Sequence, residues 1–109
     1  MRVQLVTRHC DVPAAILTRA QEQLPRLTRF DQRLSSGEVI FTEERHLKRA
    51  EGLLSVDGDE PVVARGEGPE FRAALDQMLE RVSRILRRRR TQERDHHGPK
   101  VSEVVESGT

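Results

Sequence analysis

The stretch AEGLLSVDGDEPVVARGEG, residues 50–68, decides the fold, because two apolar runs flank an Asp-Gly pair. Asp-Gly between apolar runs is a strong signal for a tight β-hairpin turn. We therefore predict a strand over Lys48–Val56, a turn at DGDE (57–60), and a second strand that begins at Pro61 and covers PVVARGEG. Proline is tolerated at a first strand position, whereas glycine weakens a strand interior, so Gly52 is expected to mark a bulge.

Upstream of the hairpin, two further strands flank a predicted helix. RVQLVTR (2–8) alternates apolar and polar residues, and EVIFTEE (38–44) is rich in β-branched and aromatic residues. Between them, residues 13–26 carry apolar side chains at helical spacing, with Pro25 expected to fray or bend the last turn. A strand–helix–strand crossover normally makes its two strands parallel. The first two strands are therefore predicted to be parallel.

The final helix is predicted from Phe71 to about residue 90. Its apolar side chains fall within one sector at about 100° per residue, and they are Phe71, Leu75, Met78, Leu79, Val82, Ile85 and Leu86. The element order is then βαβββα, an α+β fold in which two helices cover one face of a four-stranded mixed sheet. Arg89 points into the apolar sector, so the helix is expected to have passed the sheet there. We assign residues 1–90 to one domain and residues 91–109 to a flexible polar tail.

Composition narrows the class of protein. The 109 residues are 35% apolar and 34% charged, with a single cysteine, so a reducing cytosol is the expected compartment. No apolar stretch approaches the roughly 20 residues of a membrane-spanning helix, and the N-terminus has no signal-peptide pattern. Cys10, His96-His97 and the 57–60 turn lack the partners that catalytic or metal sites need. We therefore predict a cytoplasmic protein that is not an enzyme and has no cofactor, metal or small-molecule substrate.

The stretch RVSRILRRRR, residues 81–90, concentrates six arginines in a chain whose net charge is only +1. Basic residues at a helix C-terminus complement the helix dipole by about 0.3–1 kcal/mol, which accounts for one or two of them. Arginine also matches phosphate bidentately, and we predict that Arg81, Arg84 and Arg88 form a phosphate-binding flank. The other three arginines face elsewhere or lie near the helix end, and they are expected to contribute less.

A second basic run, RHLKR (45–49), enters the third strand. It either adds a second basic contact or protects an edge strand from aggregation. No aromatic residue interleaves with the two basic runs, so stacking on single-stranded bases is not expected. A basic surface of this kind suits the backbone of structured RNA. The alternative is a non-ribosomal regulatory protein whose arginine-rich helix binds an acidic protein partner or another structured RNA.

Four stretches follow one another in a specific order and spacing. RVQLVTRHCDVPAAI opens the chain, LPRLTRFD ends the first helical region, EERHLKRAEGLL enters the third strand, and EFRAALDQMLERVSRILRRRR forms the last helix. In these features the chain resembles the ribosome hibernation factors, the family of hibernation-promoting factor and ribosome-associated inhibitor A. The likeness covers nearly all of residues 1–90.

The resemblance implies a fold akin to the double-stranded RNA-binding domain. It also implies binding to the small ribosomal subunit through rRNA in the mRNA and tRNA channel, and inhibition of translation under stress or in stationary phase. The rRNA-binding positions that the resemblance implies are Arg45, Lys48, Arg49, Arg81, Arg84 and Arg88. Long family members carry a second domain, and with about 19 residues after Arg90 this chain is expected to be a short form.

Overall fold

The structure, a computed structural model, describes residues 1–95, with side chains through Glu93. Its elements are β1 (Arg2–Arg8), α1 (Ala14–Gln23), a 3₁₀ helix (Pro25–Arg29), β2 (Leu34–Glu44), β3 (Leu47–Val56), β4 (Val62–Gly68) and α2 (Phe71–Asp95). The predicted βαβββα order and the four-stranded mixed sheet are confirmed.

The strands lie in chain order across the sheet, β1-β2-β3-β4. β1 runs parallel to β2, and the β2–β3 and β3–β4 pairs are antiparallel. Leu5 pairs with Val39, Val39 with Gly52, and Gly52 with Ala64, so this row of residues points to one face of the sheet. Both helices cover that face, because α2 contacts β3 and β4 while α1 contacts β1 and α2.

The core lies between the sheet and the helices. Alternate strand residues and the apolar stripe of α2 supply its largest fully buried side chains, among them Val39, Phe41, Leu54, Val62, Leu75, Met78, Val82 and Leu86. Phe41 and Phe71 meet edge to face, with ring centroids 5.8 Å apart and ring planes at 85°. Burial of each large apolar side chain contributes about 1.5–3 kcal/mol. This single layer of contacts therefore holds both helices to the sheet.

The first helix ends where Pro25 enters the chain. α1 stops at Gln23, and the 3₁₀ helix begins at Pro25. Proline has no N–H to donate and its ring crowds the preceding turn, so the α-helix gives way to a narrower 3₁₀ helix. The amide of Leu27 donates to the carbonyl oxygen of Leu24 at 3.0 Å, and the amide of Phe30 to that of Leu27 at 2.9 Å. The disturbance predicted at Pro25 is confirmed, and it brings Phe30 to the side of α2.

Two local expectations for the sheet are wrong. β2 begins at Leu34, earlier than the predicted start at residue 38, because Leu34 already pairs with β3. Gly52 marks no bulge, since β3 pairs there in unbroken register with both neighbours, and the irregularity falls between Leu34 and Ser36 instead. An added Cβ at position 52 would collide with Sδ of Met78 in α2, so the buried Met78 side chain would have to shift.

The last helix is longer than predicted. α2 continues to Asp95, past the predicted boundary at residue 90, and residues 96–109 of the predicted tail lie outside the described residues. At Arg89, α2 has reached the β3–β4 turn beyond the ends of the strands, as expected. Arg89 donates to the carbonyl oxygens of Glu60 and Pro61 at 2.6 and 3.2 Å. The Arg89 side chain therefore ties α2 to the β3–β4 turn at the end of the core.

Candidate functional site

The six arginines of residues 81–90 in α2 project in three directions. An α-helix turns about 100° per residue, so residues 81 and 88 lie on the same side and residue 84 lies beside them. Nη1 of Arg81 donates to the carbonyl oxygen of Arg65 in β4 at 2.6 Å, which shows that this side faces the β4 edge of the sheet. We call Arg81, Arg84 and Arg88 the β4-side flank.

The β4-side flank is exposed, and its protein partners hold it weakly. Nη2 of Arg84 lies 2.9 and 2.8 Å from the two carboxylate oxygens of Glu80, and these side chains are 58% and 54% exposed. Exposed pairs of this helical spacing contribute about 0.3–0.5 kcal/mol. Within residues 1–93, no hydrogen bond or ion pair engages the side chain of Arg88. An incoming anion can therefore bind these guanidinium groups at little cost in free energy, because the contacts that it replaces are weak.

The opposite side of α2 meets the 3₁₀ helix in a second basic group. The guanidinium carbons of Arg29 and Arg87 lie over the ring of Phe30, at 4.8 and 5.6 Å from its centroid. Nη1 of Arg90 donates to the carbonyl oxygen of Phe30 at 3.4 Å. We call Arg29, Phe30, Arg87 and Arg90 the Phe30 cluster. It borders a groove of about 170 Å³ between the 3₁₀ helix and α2, which Arg26 also lines.

Sequence reasoning missed the Phe30 cluster. It found no aromatic residue among the basic runs, whereas the structure places Phe30 against Arg87. Arg87 and Arg90 do face away from the β4-side flank, as predicted, but they converge on a common partner from a distant segment. The available signal is the pair Arg29-Phe30 together with the helical spacing of Arg87 and Arg90, which puts both on one side of α2.

The other three predicted residues lie at the β2–β3 end of the sheet. Arg45 stands in the turn between the two strands, exposed, with a φ of 60°. Nζ of Lys48 pairs with Oε2 of Glu43 at 2.6 Å, and Nη2 of Arg49 pairs with Oε2 of Glu67 at 2.7 Å. Carboxylates therefore balance the charges of Lys48 and Arg49, while none within residues 1–93 pairs with Arg45.

The structure does not bring the six predicted residues into one cluster. Nζ of Lys48 lies 5.8 Å from the ring of Phe71, the first residue of α2. Arg88 is about 25 Å further along that helix at 1.5 Å per residue. Arg49 and Arg81 both contact β4, since Arg49 pairs with the side chain of Glu67 and Arg81 donates to the carbonyl oxygen of Arg65. A basic surface of this length suits an extended polyanion better than a single small anion.

Asp31 is the only buried charged residue in the described part of the chain. Arg33 donates from Nε to Oδ1 at 3.1 Å and from Nη2 to Oδ2 at 2.9 Å. These hydrogen bonds hold the pKa of Asp31 below its ordinary value, and the same carboxylate raises the pKa of Arg33. Nη2 of Arg33 also lies 3.5 Å from Asp59 and 3.4 Å from Glu93. The network ties α2 to the connection that carries Phe30.

Residues 3–94 match the family described as Sigma 54 modulation protein / S30EA ribosomal protein. The chain belongs to this family. Two relatives of this S30EA family protein are named ribosome hibernation promoting factor, so the predicted resemblance is confirmed. The relative from Azotobacter vinelandii is 34% identical over 86 residues, which cover 79% of each chain. The relative from Pseudomonas putida is 26% identical over 88 residues, which cover 81% of this chain and 85% of the relative.

Solved structures share the fold of this S30EA family protein. A ribosomal subunit interface protein from Coxiella burnetii matches with a TM-score of 0.76 at 16% identity, over 84% of this chain and 99% of that protein. The N-terminal domain of Protein Y from Thermus thermophilus matches with a TM-score of 0.71 at 23% identity, over 81% of this chain and 98% of that domain. The βαβββα architecture is therefore common to all three proteins.

The other candidate residues from the sequence are Cys10, the 57–60 turn and His96-His97. The thiol of Cys10 donates to the carbonyl oxygen of Phe41 at 3.5 Å. Among the described residues, no group of three or more His, Cys, Asp or Glu side chains is placed to hold a metal ion. No helix in that part of the chain is long and apolar enough to cross a membrane. His96 and His97 lie outside the described residues.

Proposed function

We propose that this S30EA family protein is a ribosome hibernation factor. It binds the small ribosomal subunit through rRNA in the mRNA and tRNA channel and inhibits translation. The observation that carries the proposal is the β4-side flank, three exposed arginines on one side of α2 and outside its apolar stripe. The naming of two relatives as ribosome hibernation promoting factors supports the class of function.

The β4-side flank has the chemistry that phosphate recognition needs. A guanidinium carries five N–H donors in a planar fork that fits phosphate bidentately. Arg81 uses one nitrogen on the carbonyl oxygen of Arg65, so its other N–H groups can meet a phosphate. Arg84 can exchange Glu80 for a phosphate, because an exposed ion pair is weak. Binding releases counterions from RNA, so the affinity should fall as the salt concentration rises.

Arg45, Lys48 and Arg49 form the second part of the proposed contact. Arg45 projects from the β2–β3 turn, whereas Lys48 and Arg49 must leave Glu43 and Glu67 before they can bind phosphate. We therefore assign a larger contribution to Arg45 than to either neighbour. Lys48 lies beside the start of α2 and the β4-side flank lies toward its end, whereas Arg49 alternates with the buried Ala50 and so projects from the sheet face away from the helices.

Inhibition in this proposal is steric and needs no chemical step. A domain of residues 1–90 placed in the channel occupies space that mRNA and tRNA need. The proposal therefore includes no catalytic residue, no cofactor and no small-molecule substrate. It places the protein in the cytoplasm, bound to ribosomes during stress or stationary phase.

Co-sedimentation with small ribosomal subunits across a salt series tests the proposal. The wild-type protein should sediment with subunits at low salt and dissociate as salt rises. Replacing all three arginines of the β4-side flank by glutamine should lower the salt slope by about one unit for each lost phosphate contact. The fold should be retained, because these side chains lie outside the apolar stripe.

A matched variant removes the same charge from other exposed positions. Arg2→Gln and Arg65→Gln lie on the sheet face away from the helices, and Arg72→Gln lies in the first turn of α2. This triple variant should keep the wild-type salt slope. Equal losses in both variants would show that net charge, and not the β4-side flank, carries binding. If the wild-type protein fails to sediment even at low salt, the ribosomal proposal is refuted and the acidic-protein alternative takes its place.

Inhibition and location need a separate measurement. In a cell-free translation reaction, added protein should reduce synthesis in proportion to the ribosomes that it occupies. Subunits that already hold mRNA and tRNA should bind it poorly, because all three compete for the channel. Undiminished binding to such preloaded subunits would contradict the proposed location.

A further inference from the structure

We infer that Phe30 is a positioning residue that holds Arg29 and Arg87 as a second phosphate-binding pair, so that α2 contacts RNA backbone on both of its flanks. The inference rests on the proposed function in one respect, that the ligand is structured RNA. It assigns to Arg87 the contact with RNA that sequence reasoning reserved for the β4-side flank.

The ring of Phe30 is itself held in place. Phe30 is half-buried and packs against the core, and its amide donates to the carbonyl oxygen of Leu27 at 2.9 Å. Arg29 comes from the 3₁₀ helix and Arg87 from α2, yet both guanidinium carbons lie within 6 Å of the ring centroid, at 4.8 and 5.6 Å. A fixed ring therefore gathers two cations from separate elements at one point.

Within the part of the chain that the structure describes, no carboxylate neutralises the charge of the two guanidinium groups. Within residues 1–93, neither Arg29 nor Arg87 pairs with a carboxylate. Glu80 lines the adjoining groove, but its two carboxylate oxygens accept from Arg84. A guanidinium that lies over an aromatic face keeps N–H donors for an anion, because the ring attracts the cation without accepting strong hydrogen bonds.

The occupant that this geometry favours is a phosphate group of an RNA backbone. Two guanidinium groups already cover Phe30, so a nucleobase stacked on the ring is not the expected ligand. A single Arg-phosphate pair would bind a free anion only weakly, whereas the Phe30 cluster and the β4-side flank together can follow a backbone around α2. The ligand is therefore a folded RNA whose phosphates reach both sides of one helix.

Phe30 should matter although it carries no charge. Without the ring, each arginine must be immobilised when RNA binds, which weakens binding by about two- to tenfold for each side chain. Phe30→Leu keeps an apolar side chain in the core but removes the aromatic face. Phe30→Tyr keeps the face. The number of phosphate contacts is the same in all three proteins, so the slope of log K against log salt should not change.

The experiment measures binding to small ribosomal subunits and to an RNA duplex of about 20 base pairs, each across a salt series. Phe30→Leu should weaken both interactions by about four- to hundredfold, the product of the two side-chain effects, with an unchanged salt slope. Phe30→Tyr should restore wild-type affinity. The double variant Arg29→Gln, Arg87→Gln should reduce the salt slope by about two units, because two phosphate contacts are lost. Thermal unfolding of every variant checks that the fold is retained.

Two results would overturn the inference. One is a folded Phe30→Leu protein with wild-type affinity, and the other is an arginine double variant with the wild-type salt slope. The test with the arginine double variant remains valid even if Phe30→Leu fails to fold, because Arg29 and Arg87 are exposed and their replacement should leave the fold intact. If the wild type binds the duplex but not the subunits, the ribosomal proposal fails. The inference about the Phe30 cluster is then tested by the binding of the variants to the duplex alone. If subunits bind normally but the double variant keeps its slope, only the present inference fails.

Discussion

Substituting Gly66 by alanine should push α2 away from the sheet and destabilise the domain. Gly66 is buried in β4, at the point where α2 crosses the strand. An added Cβ would overlap the carbonyl oxygen of Ala74 and would lie 2.6 Å from the backbone nitrogen of Met78. Both atoms belong to the backbone of α2, so no change of rotamer can make room. The helix must move, and the contact between Arg81 and the carbonyl oxygen of Arg65 moves with it.

The expected loss of stability follows from the kind of contact. Overpacking a core with one methyl group costs about 1–3 kcal/mol, and a clash with backbone belongs at the upper end. Alanine recovers about 0.5–1 kcal/mol because it has less freedom than glycine in the unfolded chain. We therefore expect Gly66→Ala to lower the free energy of unfolding by about 2 kcal/mol. For a domain of this size, that corresponds to a fall in Tm of roughly 8–16 °C.

Gly37→Ala is the matched control for this substitution. Gly37 is also a buried strand glycine, but an added Cβ there meets Cε of Met1 at 2.8 Å and then Leu54 at 3.5 Å. The side chain of Met1 is flexible and 39% exposed, so it can move aside. Urea and thermal unfolding should show Gly37→Ala within about 1 kcal/mol of the wild type. Equal stability of the two variants would refute the reasoning about backbone contact at position 66.

Four further substitutions test other parts of the structure. Leu75→Ala should lower the free energy of unfolding in urea by about 2–5 kcal/mol, because Leu75 is fully buried. Asp31 has a lowered pKa through its hydrogen bonds to Arg33, so its contribution is present above the ordinary pKa of about 3.9 and is lost as pH falls below it. Asp31→Asn should lower the free energy of unfolding at neutral pH. Urea unfolding at a series of pH values should also show that the variant loses less stability than the wild type as the pH falls into the acid range. Arg45→Gly should raise Tm slightly, since a φ of 60° is unfavourable for arginine, while it weakens ribosome binding in sedimentation. Arg89→Gln should lower stability by about 1 kcal/mol through the lost hydrogen bonds to the β3–β4 turn, with the salt slope of binding unchanged.

Periodicity predicts most of this fold because it records which face of each element is buried. Alternation in β1 and the apolar sector of α2 both point toward one core, and the structure confirms them. The errors arise where the reason for a residue lies in another element. Gly52 suggests a bulge when it is considered within β3 alone, whereas its cause is the close approach of Met78. The start of β2 is hidden because Ser and Gly are poor strand formers that tertiary pairing overrides.

The candidate site shows the same limit. Helical spacing alone groups Arg81, Arg84 and Arg88, and the structure places them on one exposed flank. Spacing cannot show which arginines already have partners inside the protein. The contact between Arg87 and Phe30 joins segments far apart in the chain, and it exists only because Pro25 ends α1 and turns the chain toward α2. Predicting it requires the packing of both helices on the sheet.

Rotation about the axis of α2 separates arginines that serve the fold from arginines that can serve binding. Leu75, Val82 and Arg89 recur at intervals of seven and therefore share the side of the helix that faces the sheet. At the third of these positions the strands have ended, and the carbonyl oxygens of Glu60 and Pro61 need donors. The guanidinium of Arg89 supplies these donors, which a leucine side chain could not do. Part of the positive charge of the last helix is therefore explained by the carbonyl groups of the β3–β4 turn at the end of the core. Within residues 81–90 of α2, the arginines that are turned away from that end, on the β4-side flank and in the Phe30 cluster, remain available to an external polyanion.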